Sequence, residues 1–254
     1  MRWMIAQLNP TIGDFEGNVK KIVSALEAGR TEGVDGVAFP EMALCGYPPE
    51  DLLLHSSFVQ AAERALQVVV SASRGLMVVI GLVRKSEEKG EKSLCNSAAV
   101  ICDQQLLGFV DKQLLPTYDV FDERRYFEPG KECRVWDCKG KKIGVLICED
   151  MWQHAGLVGY TDYASDPVQA MSLLSPDLVI NISASPYQLQ KPQVRIRVGS
   201  MAAKTLSCPV LFCCQVGGND QLVFDGYSFC VDAKGELCKI GKGFEEDLLM
   251  VLLS

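Results

Sequence analysis

Three side chains in this sequence have the types and settings that amide hydrolysis needs: the thiol of Cys148, the carboxylate of Glu41 and the ammonium of Lys112. Cys148 follows the apolar run Ile143-Gly144-Val145-Leu146-Ile147 and precedes Glu149-Asp150-Met151-Trp152. That places a thiol at the C-terminal end of a predicted strand, where α/β enzymes hold reactive groups. Glu41, in Phe39-Pro40-Glu41-Met42, ends another strand, and Lys112, in Val110-Asp111-Lys112-Gln113, ends a third. A thiol needs a base to become a nucleophile. Histidine is the usual one and His154 lies just downstream, but a histidine after a tryptophan in a turn is more often a packing or surface residue. A buried carboxylate with a lysine beside it can do the same work. Taken singly, each residue has a bland reading: most cysteines are small buried hydrophobes, and charges after strands are usually solvated. Cys45, Cys95, Cys102, Cys208, Cys213 and Cys230 are read in that bland way. A nucleophile, an acid-base carboxylate and a cation at three separate strand ends form the set that acyl transfer from an amide uses.

The elements that must position these groups show up as apolar runs. Residues 2–8 read as a strand, and a helical stretch opens at Asn18 with Val19, Ile22, Val23 and Leu26 on one face, ending at Gly29. The short run 36–39 and a helix over 57–73 repeat that β-α order, and 76–82 is a continuously apolar strand. A charged tip over Lys85 to Lys92 then leads to strands at 97–102 and 106–111. Residues 112–131 have no clean periodicity and are dense in Tyr, Phe and charge, which suits a long ordered loop that carries function. Downstream, strands are predicted at 142–147, 178–182, 210–215, 222–231 and 248–253, with helices near 167–174 and 192–207. The result is a mixed α/β chain with two sheets. No repeat, low-complexity tract or linker divides it, so one domain over 1–254 is expected.

Bulk properties exclude several classes of function. With 254 residues and 48% hydrophobic content the chain can bury a large core. Its 25 basic and 32 acidic residues leave a net charge of -7, so no basic field exists to draw nucleic acid or anionic lipid. The start, Met1-Arg2-Trp3-Met4, runs straight into a strand-like segment without a signal-peptide stretch, and no run approaches membrane-spanning length. Neither a membrane nor nucleic acid is an expected partner, and a cytoplasmic location is expected. Eleven cysteines, an odd count in a large chain without an export signal, read as reduced thiols. With two histidines and no Cys-x-x-Cys pair, no metal site is predicted.

Several segments also resemble one family. Phe39-Pro-Glu-Met-Ala-Leu-Cys-Gly-Tyr-Pro-Pro-Glu-Asp-Leu-Leu-Leu54 is similar to the glutamate motif of the nitrilase (carbon-nitrogen hydrolase) superfamily, in the form carried by glutaminase domains of glutamine-dependent NAD synthetases. Lys112-Gln-Leu-Leu-Pro-Thr-Tyr-Asp-Val-Phe-Asp-Glu-Arg-Arg-Tyr-Phe127 resembles their lysine motif, and Ile147-Cys-Glu-Asp-Met-Trp152 their cysteine motif. The likeness continues through Ser183-Ala-Ser-Pro-Tyr187 with Lys191 and through Gln215-Val-Gly-Gly-Asn-Asp-Gln-Leu-Val-Phe-Asp-Gly-Tyr-Ser228. It implies a four-layer αββα sandwich in which Cys148 is the nucleophile, Glu41 the general base and Lys112 the oxyanion stabiliser. Glu123, ahead of Pro129-Gly130, matches a second glutamate of the superfamily.

By the same resemblance Tyr47, Tyr118, Trp152, Ser185 and Lys191 line a pocket for L-glutamine. Against that, the aromatics could be core, Lys191 merely solvated, and Gly217 and Gly218 turn residues needing positive φ. The chain departs from the pattern at Cys214, where relatives carry Asn, and at Trp152, where another aromatic is common. The Ser-Gly-Gly-x-Asp-Ser loop that grips ATP pyrophosphate in the synthetase half is absent, and the sequence stops about where an amidase domain would. The resemblance therefore implies an amidase reaction without cofactor, ATP only in an associated synthetase domain or subunit that receives ammonia, and a homo-oligomer. Rival readings are an amidase for ω-amides of keto acids or for carbamoyl groups, and a non-catalytic regulatory subunit of the same fold.

Overall fold

The structure, a computed structural model, describes residues 1–87, 90–156 and 163–253. The chain opens with β1 (Arg2–Gln7), α1 (Phe15–Thr31), β2 (Gly36–Ala38) and α2 (Ser56–Ala72), then enters the antiparallel run β3 (Met77–Lys85), β4 (Leu94–Cys102) and β5 (Gln105–Asp111). Its second half contains β6 (Val135–Cys138), β7 (Lys141–Ile147), α3 (Pro167–Ser172), β8 (Leu178–Ser183), α4 (Lys191–Leu206) and β9 (Val210–Cys214). β10 (Val216–Asn219), β11 (Leu222–Asp225), β12 (Phe229–Val231), β13 (Leu237–Ile240) and β14 (Asp247–Leu252) complete it. Among the described residues there are two six-stranded sheets, ordered β14-β1-β2-β3-β4-β5 and β13-β12-β9-β8-β7-β6, and the separate hairpin β10-β11.

Strand periodicity explains the layering, because successive side chains of a strand leave by opposite faces. Trp3 and Ile5 of β1 enter the core between the sheets with Val79, Val100, Ile143, Val145, Ile147 and Leu211. Met4 and Ala6, one step out of phase, pack instead against Ile22 and Leu26 of α1 and Leu66 and Val69 of α2. The second sheet does the same: Leu146 and Val179 turn outward to meet Met171 of α3 and Val198, Ala202 and Leu206 of α4. The result is the four-layer αββα sandwich. α1 starts where the Asp14 side chain accepts the Gly17 N–H, and Pro167 follows the capping Asp166 at the start of α3.

Several expected elements shift. The run 222–231 is two strands, not one, because Gly226 and Tyr227 take φ of 68° and 50° between them. A side chain at Gly226 would fall 2.4 Å from the Gln7 side chain, and Gln7 Oε1 accepts the Ser228 N–H at 2.9 Å, so the chain must break there. The strands β6, β10 and β13 were not expected; they are short, and β13 is exposed along its whole length, so no alternation marks it. The charged tip expected over Lys85 to Lys92 lies partly outside the described residues, at 88–89.

Candidate active site

The site forms at one end of the sandwich, where β2, β5, β7 and β8 run out. After β2 the backbone turns at Pro40: Phe39 N–H bonds the Val79 carbonyl at 2.8 Å, and Gly81 N–H bonds the Pro40 carbonyl at 3.1 Å. This turn lies so close to β3 that a Cβ on Gly81 would be 2.2 Å from Met42 N. The turn carries Glu41. At the end of β5, Lys112 N–H bonds the Asn96 carbonyl and Gly130 N–H bonds the Lys112 carbonyl, both at 2.8 Å, so the long 112–131 loop is pinned at its base. Cys148 follows β7 with φ of 43°, a left-handed conformation that a non-glycine residue adopts only when its surroundings impose it.

Four buried groups meet there. Lys112 Nζ donates to Glu41 Oε1 at 2.8 Å and to Glu123 Oε1 at 2.7 Å. Glu41 Oε1 also accepts Asn96 Nδ2 at 2.7 Å, and its Oε2 accepts Ala184 N–H, just past β8, at 2.8 Å. Tyr47 Oη donates to Glu123 at 2.8 Å. Burial alone would pull the Lys112 ammonium down, but the carboxylates of Glu123 and Glu41 outweigh it and hold it well above its ordinary range. Burial pushes Glu123 up to about 7, against the pull of Lys112 and with the push of Glu41. The Cys148 thiol is raised well above its usual range by burial and then by Glu41, with Lys112 opposing. At rest the sulfur therefore carries its proton, and an adjacent base must remove it during reaction.

Next to this cluster stands a rim of polar and aromatic groups. Tyr118 Oη donates to the two Glu149 carboxylate oxygens at 3.0 and 3.1 Å, and Tyr163 Oη to Glu149 Oε1 at 3.3 Å. Lys191, at the start of α4, holds its ammonium 5.6 Å from the centre of the Trp152 ring. Burial and the neighbouring Arg195 lower its pKa, and no hydrogen bond or ion pair reaches its Nζ among the described residues. Ser185 Oγ accepts Arg195 Nε at 3.1 Å, and the same buried arginine bonds Asp225 at 2.7 Å.

The structure thus gathers Glu41, Lys112, Cys148 and Glu123, attaches Tyr47 through Glu123, and places Tyr118, Trp152 and Lys191 on the rim. Ser185 faces Arg195. Lys191 is half-buried, its ammonium beside the Trp152 ring, which leaves it between the solvated and the pocket-lining readings. The pairing of Cys148 with His154 does not hold, because that ring bonds Asp166 and Thr205 at 2.8 Å each. Cys102 is only half-buried, because it closes a strand at the sheet's end. Gly217 has φ of 116° as a turn glycine would, but Gly218 has no such φ and both lie in β10. Sequence reasoning missed Asn96, Glu149, Asp150 and Arg195. Asn96 lies in β4 just ahead of the expected strand 97–102, and a buried polar pair with Ser97 marks that strand's start; Glu149 and Asp150 were in view beside Cys148 but had no assigned role.

A model of the carbon-nitrogen hydrolase family matches residues 5–254. The chain is 43% identical over 257 aligned residues to the glutamine-dependent NAD(+) synthetase of Thermotoga maritima, covering 99% of this chain and 42% of that protein. It is 41% identical to the enzyme of the same name from Synechocystis sp., covering 97% of this chain and 45% of the relative. It therefore spans less than half the length of these curated relatives. A solved glutamine-dependent NAD+ synthetase from Acinetobacter baumannii superposes with a TM-score of 0.88 at 36% identity, over 98% of this chain and 44% of that one. An amidase of the nitrilase superfamily from Nesterenkonia, 22% identical, shares the fold with a TM-score of 0.83 over 99% of this chain and 89% of its own.

Proposed function

From a chain that belongs to the carbon-nitrogen hydrolase family, we propose a glutamine amidase, the ammonia-supplying portion of a glutamine-dependent NAD synthetase, with residues 1–254 as one amidase domain. The observation that carries the reading is the buried Glu41-Lys112-Glu123 cluster around the Cys148 thiol. Glu41 takes the thiol proton as the sulfur attacks the side-chain carboxamide. The Lys112 ammonium and a backbone N–H after Cys148 stabilise the oxyanion, a role worth about a hundredfold or more in rate. The C–N bond then breaks, the proton passes from Glu41 to the leaving nitrogen, and ammonia departs from a Cys148 thioester. Water activated by Glu41 hydrolyses that thioester to glutamate and restores the thiol.

Glutamine, as opposed to a keto-acid amide or a carbamoyl compound, is favoured by the charges on the rim. Glu149, joined by two phenols, suits a cationic α-amino group, and the Lys191 ammonium beside Trp152 suits an α-carboxylate. The names of the relatives point the same way. The amidase steps use no cofactor; ATP would serve only a synthetase domain or subunit, which would pass the ammonia to an adenylated nicotinate dinucleotide. No described helix is long and apolar enough to cross a membrane. A cytoplasmic location and a homo-oligomer are part of the same proposal and rest on the family resemblance alone.

The test compares hydrolysis of glutamine, α-ketoglutaramate and N-carbamoyl amino acids by the purified chain and by Cys148→Ala. Glutamine should be the preferred substrate and the variant inactive with its fold intact. Preference for either rival substrate would replace the glutamine reading, and near-wild-type activity in Cys148→Ala would remove the mechanism.

A further inference from the structure

Asp150 is fully buried, yet no acyl-transfer step uses it. Its Oδ1 accepts the backbone N–H groups of Gln113 and Leu114 at 3.0 and 2.9 Å, and its Oδ2 accepts that of Ile147 at 3.0 Å. Gln113 is the residue after Lys112, and Ile147 the residue before Cys148. One carboxylate therefore joins the backbone that carries the oxyanion cation to the backbone that carries the nucleophile, across the two sheets. We infer that Asp150 is a positioning residue that sets the distance and orientation between Lys112 and Cys148, and so the rate of acyl transfer, without touching substrate.

Two features favour this role over simple packing. Cys148 stands in a left-handed conformation that its own backbone disfavours by about 1–2 kcal/mol, so the turn needs outside anchors. Asp150 supplies one through Ile147, and Asn181 supplies another by donating to the Cys148 carbonyl at 3.3 Å. The 112–131 stretch, in turn, has one short helical turn, at Glu123–Arg125, as its only helix among the described residues. Its Lys112 end is held by Asn96, by Gly130 and by Asp150. Three N–H donors normally keep a carboxylate acidic, yet burial pushes Asp150 up to about 7. Burial thus costs this carboxylate more than its three hydrogen bonds return, and an apolar side chain would fill the same space without that cost.

The inference rests on reading Cys148 as nucleophile and Lys112 as oxyanion donor. Asp150→Asn tests it, because an amide has one acceptor oxygen: it can hold the loop side or the Ile147 side, and presents an N–H to the other. A misplacement of about 1 Å costs roughly a hundredfold in rate. The turnover number for glutamine should fall roughly ten- to a hundredfold while KM stays within about threefold and the melting profile stays cooperative. A wild-type turnover number, or an effect confined to KM, overturns the inference. Should the wild-type chain not hydrolyse glutamine, the rate of Cys148 alkylation by iodoacetamide gives a substrate-free readout: slower alkylation in Asp150→Asn supports the positioning role, and an unchanged rate rejects it. If Asp150→Asn does not fold, Gln113→Pro removes one donor from the opposite side and leaves Asp150 in place. Slower alkylation there supports the role, and a wild-type rate rejects it.

Discussion

At the scale of single residues, Lys112 does two jobs that pull in different directions. It is placed to stabilise an oxyanion, and it also neutralises two buried carboxylates that would otherwise repel each other. Removing one partner of a buried ion pair costs roughly 3–5 kcal/mol, because a charge is left unpaired in a poor solvent. Lys112→Ala should therefore lose both turnover, by about a hundredfold or more, and stability. Adding Glu123→Gln removes one of the orphaned charges, so the double variant should regain stability without regaining turnover. Thermal melts and steady-state rates of the two variants check this, and a double variant as unstable as the single one would refute the ion-pair account. The same cluster sets a pH dependence. Asp150 and Glu123 both lie raised to about 7, so between their ordinary values and that pH the folded chain holds more protons than the unfolded chain. Their contribution to stability is fully present at acid pH and is lost as pH rises through about 7. The ionised forms are the ones the site uses, so turnover should rise over the same window in which the melting temperature falls. Melting temperature and rate measured from pH 5.5 to 8.5 check it, and Asp150→Asn should flatten the melting trend.

At the scale of elements, what positions the site is how closely strand ends approach one another, and Gly81 is the clearest case. It lies in β3 under the turn that carries Glu41, where a Cβ would meet Met42 N at 2.2 Å and Glu41 Cα at 2.5 Å. Both contacts are backbone, which cannot rotate away. Gly81→Ala should push the Glu41 turn outward, lowering turnover more than a surface glycine substitution such as Gly140→Ala; equal effects of the two would show that the turn has room. The sequence carried this architecture unevenly. Strand ends at Glu41, Lys112 and Cys148 were legible because apolar runs, short before Glu41 and longer before the other two, stop there at a charged or reactive residue, and the loop after Lys112 was legible because it lacks any period. Asn96 escaped because its strand, which begins at Leu94, was expected to begin only at Ser97, and its contacts to Glu41 and Glu123 come from residues distant in sequence. Asp150 escaped for a related reason: it bonds only backbone N–H groups, which leave no mark in residue types. The break at Gly226-Tyr227 depends on Gln7, a partner at the other end of the chain.

At the scale of the whole molecule, this chain matches 42% and 45% of the lengths of two synthetase relatives, so any receiver of ammonia would be formed by sequence outside it. Ammonia released without a receiver wastes glutamine, and the proposed function therefore calls for a way to hold the amidase back. The 112–131 loop is suited to that, because it is buried in part and open in part: Lys112 and Glu123 are buried, whereas Tyr118 and Val120, between them, are each 37% exposed. Tyr118 reaches inward to Glu149 on the rim, so a surface that packs on the exposed part of the loop can alter the pocket through that one phenol. The chain alone should be a slow glutaminase that speeds up when a synthetase domain with its adenylated acceptor is added. If docking acts through the Tyr118 segment alone, the gain should lie mainly in the apparent affinity for glutamine, since Asp150 keeps the Lys112 end fixed. If it shifts Lys112 as well, the gain should lie in turnover. Tyr118→Phe separates these cases: it should abolish a gain in affinity and leave a gain in turnover intact. Equal glutamine hydrolysis with and without the synthetase domain, over a full range of glutamine concentrations, would reject the coupling and leave an independent amidase.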